Sequence, residues 1–127
     1  MKLPGINIQF PISKLILSGK KTIETRHYSL PEKYVGQEMF FIETPGKNGN
    51  FSARIVAIIV FGKSFQYSNS DDFYADKARH FVSPKSPYRW KKALTKWGWP
   101  ILRLQILPKA VPAPKRRGIR YTREIKL

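Results

Sequence analysis

Apolar and polar residues alternate, or apolar residues run together, in several short segments of the chain. Alternation of this kind is typical of half-buried β-strands, and a β-branched run is typical of a central strand. The segments with these patterns are 6–10, 22–28, 38–44, 51–65, 101–107 and 119–127. The pattern therefore predicts five or six strands, with 51–65 at the centre of the sheet.

Two segments show helical rather than alternating spacing. Ile12, Leu15 and Ile16 fall on one face of a helix that would end at Gly19, where glycine can adopt a left-handed cap. A second helix is predicted over 68–82, where Ser70 or Asp71 can cap the start. Both predicted helices are short.

Turn residues separate these elements, and the proline-rich segment 108–118 predicts an extended loop. The sequence thus indicates an α+β protein that is mostly β. We expect a small mixed β-barrel of five or six strands flanked by two or more short helices. A length of 127 residues corresponds to a single domain, 1–127.

Among the compositional features, the net charge says most about the function. The formal net charge is +16 at pH 7, from 24 Lys and Arg residues against 8 Asp and Glu residues. Residues 85–127 hold 13 of the basic residues and one acidic residue, Glu124. The excess positive charges repel one another, and binding of a polyanion relieves this repulsion. We expect a nucleic acid partner that meets the C-terminal third of the chain; a generic basic surface or a membrane-surface protein is the alternative.

The composition argues against several classes of site. Cysteine is absent, which excludes disulfides and thiolate metal sites. His27 and His80 are the only histidines, so we expect no metal site and no cofactor. No apolar run reaches the roughly 20 residues that span a bilayer, and the N-terminal residues lack the apolar core of a signal peptide. We therefore expect a cytoplasmic protein without a membrane partner.

Aromatic and basic residues are interleaved over 88–99. Exposed aromatic rings beside bases would stack on nucleobases while the lysines contact phosphates. We expect Trp97 and Trp99 to pack in the core instead. For Trp90, core packing and base stacking both remain open.

The charged segment GKKTIETR, at 19–26, is the main candidate for chemistry. It runs from the end of the first predicted helix into the second predicted strand, where Glu24 and Arg26 share one face. A lysine becomes a base or a nucleophile only when burial or neighbouring positive charge lowers its pKa. Lys20 and Arg26 supply such charge near Lys21, whereas Glu24 opposes it.

Three interpretations of this segment remain open. Glu24 could pair with Lys21 or Arg26 and merely shape a turn. The same residues could bind a ligand, because the guanidinium of Arg26 suits a phosphate or a carboxylate and Glu24 adds an acceptor for a base edge. They could also be catalytic, with Lys21 as the reactive group.

The segment ILSGKKTIETR resembles the signature of the ASCH domains, a branch of the PUA-like superfamily. That signature is a Gly-x-Lys-x-x-Glu-x-Arg pattern between the first helix and the second strand, matched here by Gly19, Lys21, Glu24 and Arg26. Segments LPEKYVGQEMFFIET and KWGWPILRLQILPKAVPAPKRRGIR are similar to later parts of these domains, so the resemblance covers nearly the whole chain. It implies a PUA-like barrel beside a cleft that the motif lines.

The resemblance also implies a function connected with RNA. Some ASCH domains are RNA-binding modules, one branch is an acetylcytidine amidohydrolase, and ribonuclease activity is attributed to another. In the amidohydrolase branch the active lysine matches Lys21, a threonine stands at the position of Glu24, and the second helix supplies a carboxylate. Here Glu24 replaces the threonine, and Asp72 or Asp76 would supply the carboxylate.

These considerations predict an RNA-binding ASCH domain, with DNA as a further possible ligand. A cleft around the motif would hold a nucleotide or base, and a basic C-terminal surface would hold the phosphate backbone. The residues expected to contact nucleic acid are Lys20, Lys21, Glu24, Arg26, Arg89, Trp90, Lys91, Lys92, Lys115, Arg116, Arg117 and Arg120.

The alternative function is an RNA-acting hydrolase. It would be a metal-independent ribonuclease or an acetylcytidine amidohydrolase-like enzyme, in which Lys21 acts on the substrate. The catalytic residues expected for this alternative are Lys21, Glu24 and Asp76.

Overall fold

A mixed sheet dominates residues 1–115, 117–118 and 120–127, which are the residues that the computed structural model describes. Its strands are β1 (Lys2–Gln9), β2 (Ile23–Arg26), β3 (Met39–Thr44), β4 (Arg54–Phe61), β5 (Phe65–Gln66), β6 (Trp97–Pro112) and β7 (Tyr121–Lys126). The helices are α1 (Ile12–Leu17), α2 (Ser70–Ala75) and α3 (Lys77–His80), and a single 3-10 turn lies at Glu32–Tyr34. The prediction of a mostly β protein with short helices is confirmed.

The strands follow the order β2-β6-β4-β3-β1-β7, and the short β5 also pairs with β6. The pairing of β1 with β3 is parallel, and the other pairings are antiparallel. In the described residues the backbone ladder does not close between β2 and β7, so a closed barrel is not confirmed.

Side chains connect strands at one end of this open ladder to strands at the other, β2 to β1 and β6 to β7. Arg26 of β2 donates from Nη2 to the backbone oxygen of Asn7 in β1 at 2.8 Å. The rings of Trp99 in β6 and Tyr121 in β7 stack with centroids 6.4 Å apart. The sheet is therefore strongly curled, which brings β2 and β1 to opposite walls of one cleft.

Alternation along the strands builds two cores. Met39 and Phe41 of β3 join one buried cluster, which includes Trp99, whereas Phe40 and Ile42 join a second cluster on the opposite face. Every residue of β4 after Arg54 is buried, as a central strand requires. The predicted core position of Trp99 is confirmed, since its side chain is fully buried.

The end of β6 differs from the expected loop. Pairing with β4 continues past residue 107, because Val111 lies opposite Ile55 and Pro112 lies opposite Arg54. The register shifts between Ile55 and Ala57, so the β6 residues around Pro108 form a bulge. Proline lacks the N–H that a regular ladder needs, and a bulge tolerates it. The proline-rich sequence thus bends the strand rather than ending it.

The second predicted helix is broken into α2 and α3 at Asp76. Phe73 is buried, but Phe81 is exposed and adopts left-handed backbone angles, so the two do not share one buried helical face. The carboxylate of Asp76 accepts hydrogen bonds from Tyr67 Oη and Arg79 at the break. No helix in the described part of the chain is long and apolar enough to cross a bilayer.

Candidate functional site

The motif begins where α1 turns into β2. Gly19 has φ +81°, a left-handed conformation that stops the helix, and its N–H donates to the oxygen of Ile16 at 3.0 Å. The N–H of Lys21 then donates to the oxygen of Leu15 at 2.9 Å, and Thr22 N–H to the oxygen of Arg79 at 2.9 Å. These bonds reverse the chain and place Lys21 between α1 and α3.

Three charged motif side chains come together below the surface. Lys21 and Glu24 are 2% and 5% exposed. Glu24 lies between two cations, with Oε1 3.7 Å from Lys21 Nζ and Oε2 3.2 Å from Arg26 Nη2. Both predicted ion pairs therefore form, and they share one carboxylate. Burial outweighs the attraction of Glu24 and lowers the pKa of Lys21.

The ammonium of Lys21 is held by the segment that follows α3. Its Nζ donates to the backbone oxygen of His80 at 2.5 Å. The ring of His80 is buried; its Nδ1 accepts from the N–H of Val82 at 2.9 Å, and its Nε2 lies 2.6 Å from the oxygen of Phe73. Because Nδ1 accepts, Nε2 carries the proton, and burial lowers the pKa of this histidine. His80 therefore holds the backbone that positions Lys21.

Arg26 connects the motif to the opposite wall. Its Nη1 donates to Tyr28 Oη at 2.9 Å, and Nη2 donates to the oxygen of Asn7. Its guanidinium also lies 5.3 Å from the ring centroid of Trp99. Contacts on several sides hold the guanidinium in one orientation, which favours directional binding of an anion.

A cleft of about 330 Å³ opens in front of this group. This volume is at the lower end of the roughly 300–1,000 Å³ typical of small-molecule sites. The described residues that line it are Asn7, Ile8, Gln9, Ile12, Lys21, Glu24, Thr25, Arg26, His27, Tyr28, Thr44, Val82, Tyr88 and Lys96. Motif residues Lys21, Glu24 and Arg26 thus share a cleft with aromatic, amide and further basic side chains.

Lys96 is a cleft residue that sequence reasoning missed as a site residue. It is 2% exposed, and its Nζ donates to the backbone oxygen of Tyr88 at 2.7 Å. Burial, assisted by the charges of Lys91 and Lys21, lowers the pKa of Lys96 to about 8. A lysine in a basic surface segment resembles any solvated lysine in sequence, so no local signal distinguished it.

Tyr28 and Tyr88 were not among the predicted contacts either, yet both line the cleft. Tyr28 lies two residues after Arg26 and presents its ring at the cleft wall. Tyr88 is 39% exposed, and its Oη donates to the side chain of Gln9 at 3.3 Å. For Tyr28, the signal would have been the alternation of β2, which continues to this residue. For Tyr88, it would have been the position between two basic segments.

The predicted contacts in the 89–92 segment lie outside the cleft lining. Arg89, Lys91 and Lys92 are exposed beside Tyr88, and Lys20 is exposed on the turn after α1. Trp90 is half-buried, with its ring centroid 5.8 Å from that of Phe73. This packing favours the core interpretation of Trp90.

The C-terminal basic segment, of which Lys115, Arg117 and Arg120 are described basic residues, reaches the rim of the cleft. The guanidinium of Arg120 lies 3.7 Å from the ring centroid of Tyr28. Asn7, which lines the cleft, donates from Nδ2 to the oxygen of Gly118 at 2.9 Å. Lys115 and Arg117 are exposed in the same segment. The predicted contact Arg116 lies outside the described residues.

Asp76 is not among the residues that line this cleft, so the predicted catalytic set is not assembled in it. Its carboxylate accepts from Tyr67 and Arg79 and belongs to a separate shallow depression. Burial disfavours the charged form, but these hydrogen bonds outweigh it and lower the pKa of Asp76. The break between α2 and α3, which the sequence did not reveal, determines this position.

No metal-binding cluster is found in the described part of the chain, where no three His, Asp or Glu residues group together.

Solved structures resemble the chain over most of its length. A crystal structure of ASCH from Zymomonas mobilis has a TM-score of 0.66 and 14% sequence identity, and covers 86% of this chain and 72% of its own. A mutant of the Zymomonas mobilis protein ZmASCH has a TM-score of 0.69 at 14% identity, covering 94% of this chain and 85% of its own. No protein-family sequence model and no curated protein matches. The chain therefore has the ASCH fold, as its motif predicted.

Proposed function

We propose that the protein binds single-stranded RNA, with one nucleotide in the cleft and neighbouring phosphates on the basic C-terminal segment. One observation carries this proposal. The cleft and the basic segment are continuous, because Arg120 stacks on Tyr28 and Asn7 bonds to Gly118. A strand with one nucleotide in the cleft would meet further cations at the rim.

The cleft offers what recognition of a base requires. Glu24 is an acceptor, Lys21 and Arg26 are donors, and both kinds of group are held in place by buried contacts. The exposed ring of Tyr88 at the cleft provides a surface on which a base can stack, whereas Arg120 already covers a face of Tyr28. Single-stranded RNA is recognised in this way, by stacking of unpaired bases and hydrogen bonds to their edges.

Charge favours a polymeric ligand over a free nucleoside. A nucleoside has no phosphate backbone and gains nothing from a net charge of +16. A strand gains from each lysine or arginine that neutralises a phosphate. DNA has the same backbone charge, so the comparison of RNA with DNA belongs to the test.

A second candidate is an RNA-acting hydrolase, and one observation favours it. Burial lowers the pKa of Lys21, which raises the fraction of neutral amine able to accept a proton from an attacking hydroxyl. Glu24 is the carboxylate within reach of this amine, at 3.7 Å. In this alternative Glu24, rather than Asp76, would assist Lys21.

Binding and cleavage are separated by one experiment. End-labelled single-stranded RNA is incubated with the wild type, Lys21→Ala and the control Lys63→Ala, which removes an exposed lysine outside the cleft lining. Native gels report binding and denaturing gels report cleavage, and circular dichroism verifies that each variant is folded. We expect intact RNA that is shifted by the wild type and the control and weakly by Lys21→Ala.

Two results would change this conclusion. Shortened RNA with the wild type and the control, but not with Lys21→Ala, would identify a hydrolase. An equal shift by all three proteins would remove the cleft from the proposal and leave only a basic surface.

A further inference from the structure

The charges inside the cleft do not balance. Among the described residues that line it are three strongly basic side chains, Lys21, Arg26 and Lys96, and a single carboxylate, Glu24. Glu24 is engaged by Lys21 and Arg26. None of the ion pairs between described residues includes Lys96. Counted by formal charge, the cleft lining therefore has an excess of two positive charges.

Lys96 is the centre of this excess. The residue is 2% exposed, and the neighbours of its Nζ are a backbone oxygen and the Phe73 ring, whose centroid is 5.7 Å away. Dipoles and an aromatic face compensate a buried ammonium only in part, and buried charges in proteins are normally paired. An anion placed in the cleft would supply the missing partner.

The shape of the cleft limits which anion fits. Lys21, Glu24 and Lys96 are almost inaccessible to solvent and form its floor, whereas Gln9, His27 and Tyr88 are exposed at its mouth. The backbone of a continuing strand would have to reach the buried floor and return from it. The end of a strand has to enter only once.

We propose that the cleft receives the terminal phosphate of an RNA strand, with Lys96 as a principal contact of that phosphomonoester. This inference rests on the proposed RNA-binding function and names the part of the RNA that enters the cleft. A phosphomonoester carries about −1.5 to −2 charges at pH 7, whereas an internal phosphodiester carries about −1. The terminal group matches the excess of the cleft more closely.

The test uses one oligoribonucleotide sequence in three forms: with a 5′-phosphate, with a 3′-phosphate and with hydroxyl groups at both ends. Affinities are measured by fluorescence anisotropy for the wild type, Lys96→Met and the control Lys63→Met. Methionine keeps an unbranched apolar stem and removes the charge. We expect one phosphorylated form to bind the wild type and the control about tenfold more tightly than the hydroxyl form. Lys96→Met should lose this preference, so that it no longer distinguishes the phosphorylated form from the hydroxyl form.

Three other outcomes are informative, the third from competition with a free nucleotide. Equal affinity of the wild type for all three forms overturns the inference but leaves RNA binding in place. Failure of every form to bind overturns both proposals. A nucleoside monophosphate that competes as strongly as the phosphorylated strand assigns the cleft to free nucleotides, and it overturns the strand-end assignment.

A measurement on the wild type alone covers the case in which Lys96→Met does not fold. The charged groups that act on Lys96 are Lys21, Lys91 and Glu24. A terminal phosphate stays doubly charged above pH 7, because its second pKa is about 6. The phosphate preference should therefore decline between pH 8 and 10, as cleft ammonium groups lose protons. A preference that is unchanged over this range would contradict the role of Lys96.

Discussion

At the scale of the residue, Glu24 is the group on which the buried charges depend. Its two oxygens face Lys21 and Arg26, and its Oε1 also accepts the N–H of Thr25 at 3.1 Å. Lys21 has one further acceptor, the backbone oxygen of His80. Removing the negative charge would leave a buried ammonium and a partly buried guanidinium without a carboxylate, which is costly in an apolar surrounding.

We expect Glu24→Gln to lower the free energy of unfolding by about 2–4 kcal/mol. Glu38→Gln is the matched control, because it breaks an ion pair with Arg103 of similar length, 2.9 Å, in which both side chains are exposed. That change should cost less than about 1 kcal/mol. Urea unfolding curves of the three proteins give the comparison. Equal losses in the two variants would show that burial of the motif pair contributes nothing.

Lys96 gives a second prediction, for the dependence of stability on pH. Its pKa is about 8 in the folded protein and about 10.4 in an unfolded chain. Between these values the unfolded chain binds more protons, so the free energy of unfolding rises with pH. We expect a rise of about 1–3 kcal/mol between pH 7.5 and 9.5.

Lys96→Met should reduce that rise. The variant removes the group whose folded pKa is lowered, while the relaxation of the overall positive charge is common to both proteins. Urea unfolding at pH 7.5, 8.5 and 9.5 compares the two. The same pH dependence in the variant and the wild type would mean that Lys96 has an ordinary pKa in the folded protein.

At the scale of the element, the junction between α1 and β2 positions the motif. Helix α1 has six residues and is too short to be stable by itself, so its end depends on the turn at Gly19. The hydroxyl of Ser13, inside α1, donates to Glu43 of β3 at 2.5 Å, which fastens the helix to the sheet. Lys21 enters the cleft because both ends of this short connection are held.

Substitution of Gly19 tests whether the turn requires a residue that adopts the left-handed backbone conformation, separately from side-chain packing. A Cβ at this position would meet no described atom within 4 Å, so the cost comes from the left-handed conformation. We expect Gly19→Val to destabilise the protein by about 1–2 kcal/mol, and Gly19→Asn by clearly less, because asparagine tolerates this region. Thermal or urea unfolding measures both. A valine variant as stable as the asparagine variant would argue against strain at this turn.

At the scale of the whole molecule, the net charge of +16 is unevenly distributed along the chain. The exposed Lys115 and Arg117 lie in the same segment as Arg120, which contacts the cleft wall. Cations on the rim and in the cleft would act on the same bound strand. Counterions released from each neutralised phosphate then make the affinity sensitive to salt.

Salt dependence therefore measures the contribution of this segment. For a single-stranded ligand, log affinity should fall against log salt with a slope of about −0.7 for each phosphate neutralised. The triple change Lys115→Ser, Arg117→Ser and Arg120→Ser should make the slope shallower by about 2. Lys63→Ser and Lys109→Ser together are the control for loss of charge elsewhere. An unchanged slope in the triple variant would separate the basic segment from the binding surface.

Much of the fold was predictable because the spacing of apolar residues and the residue preferences of turns are local properties of the sequence. The residues of β3, β4 and β7 alternate or cluster as strands of a half-buried sheet must, and Gly19 marks the end of α1. The extension of β6 through Pro108 was not predictable. It depends on a bulge that forms where β6 pairs with β4, and nothing within residues 108–112 indicates that pairing. The break at Asp76 likewise depends on Tyr67, nine residues away.

The sequence by itself determined the strand-rich fold, the motif that identified the ASCH fold, and the positive charge with its C-terminal bias. Periodicity and short motifs are properties of neighbouring residues, and net charge is a sum over all residues. All three can therefore be read without coordinates. Only the tertiary structure decided that Lys96 and Tyr88 share the cleft of Lys21 and that Asp76 does not. Such proximity depends on how a curled sheet and three short helices pack, and burial then lowers the pKa of Lys21 and Lys96.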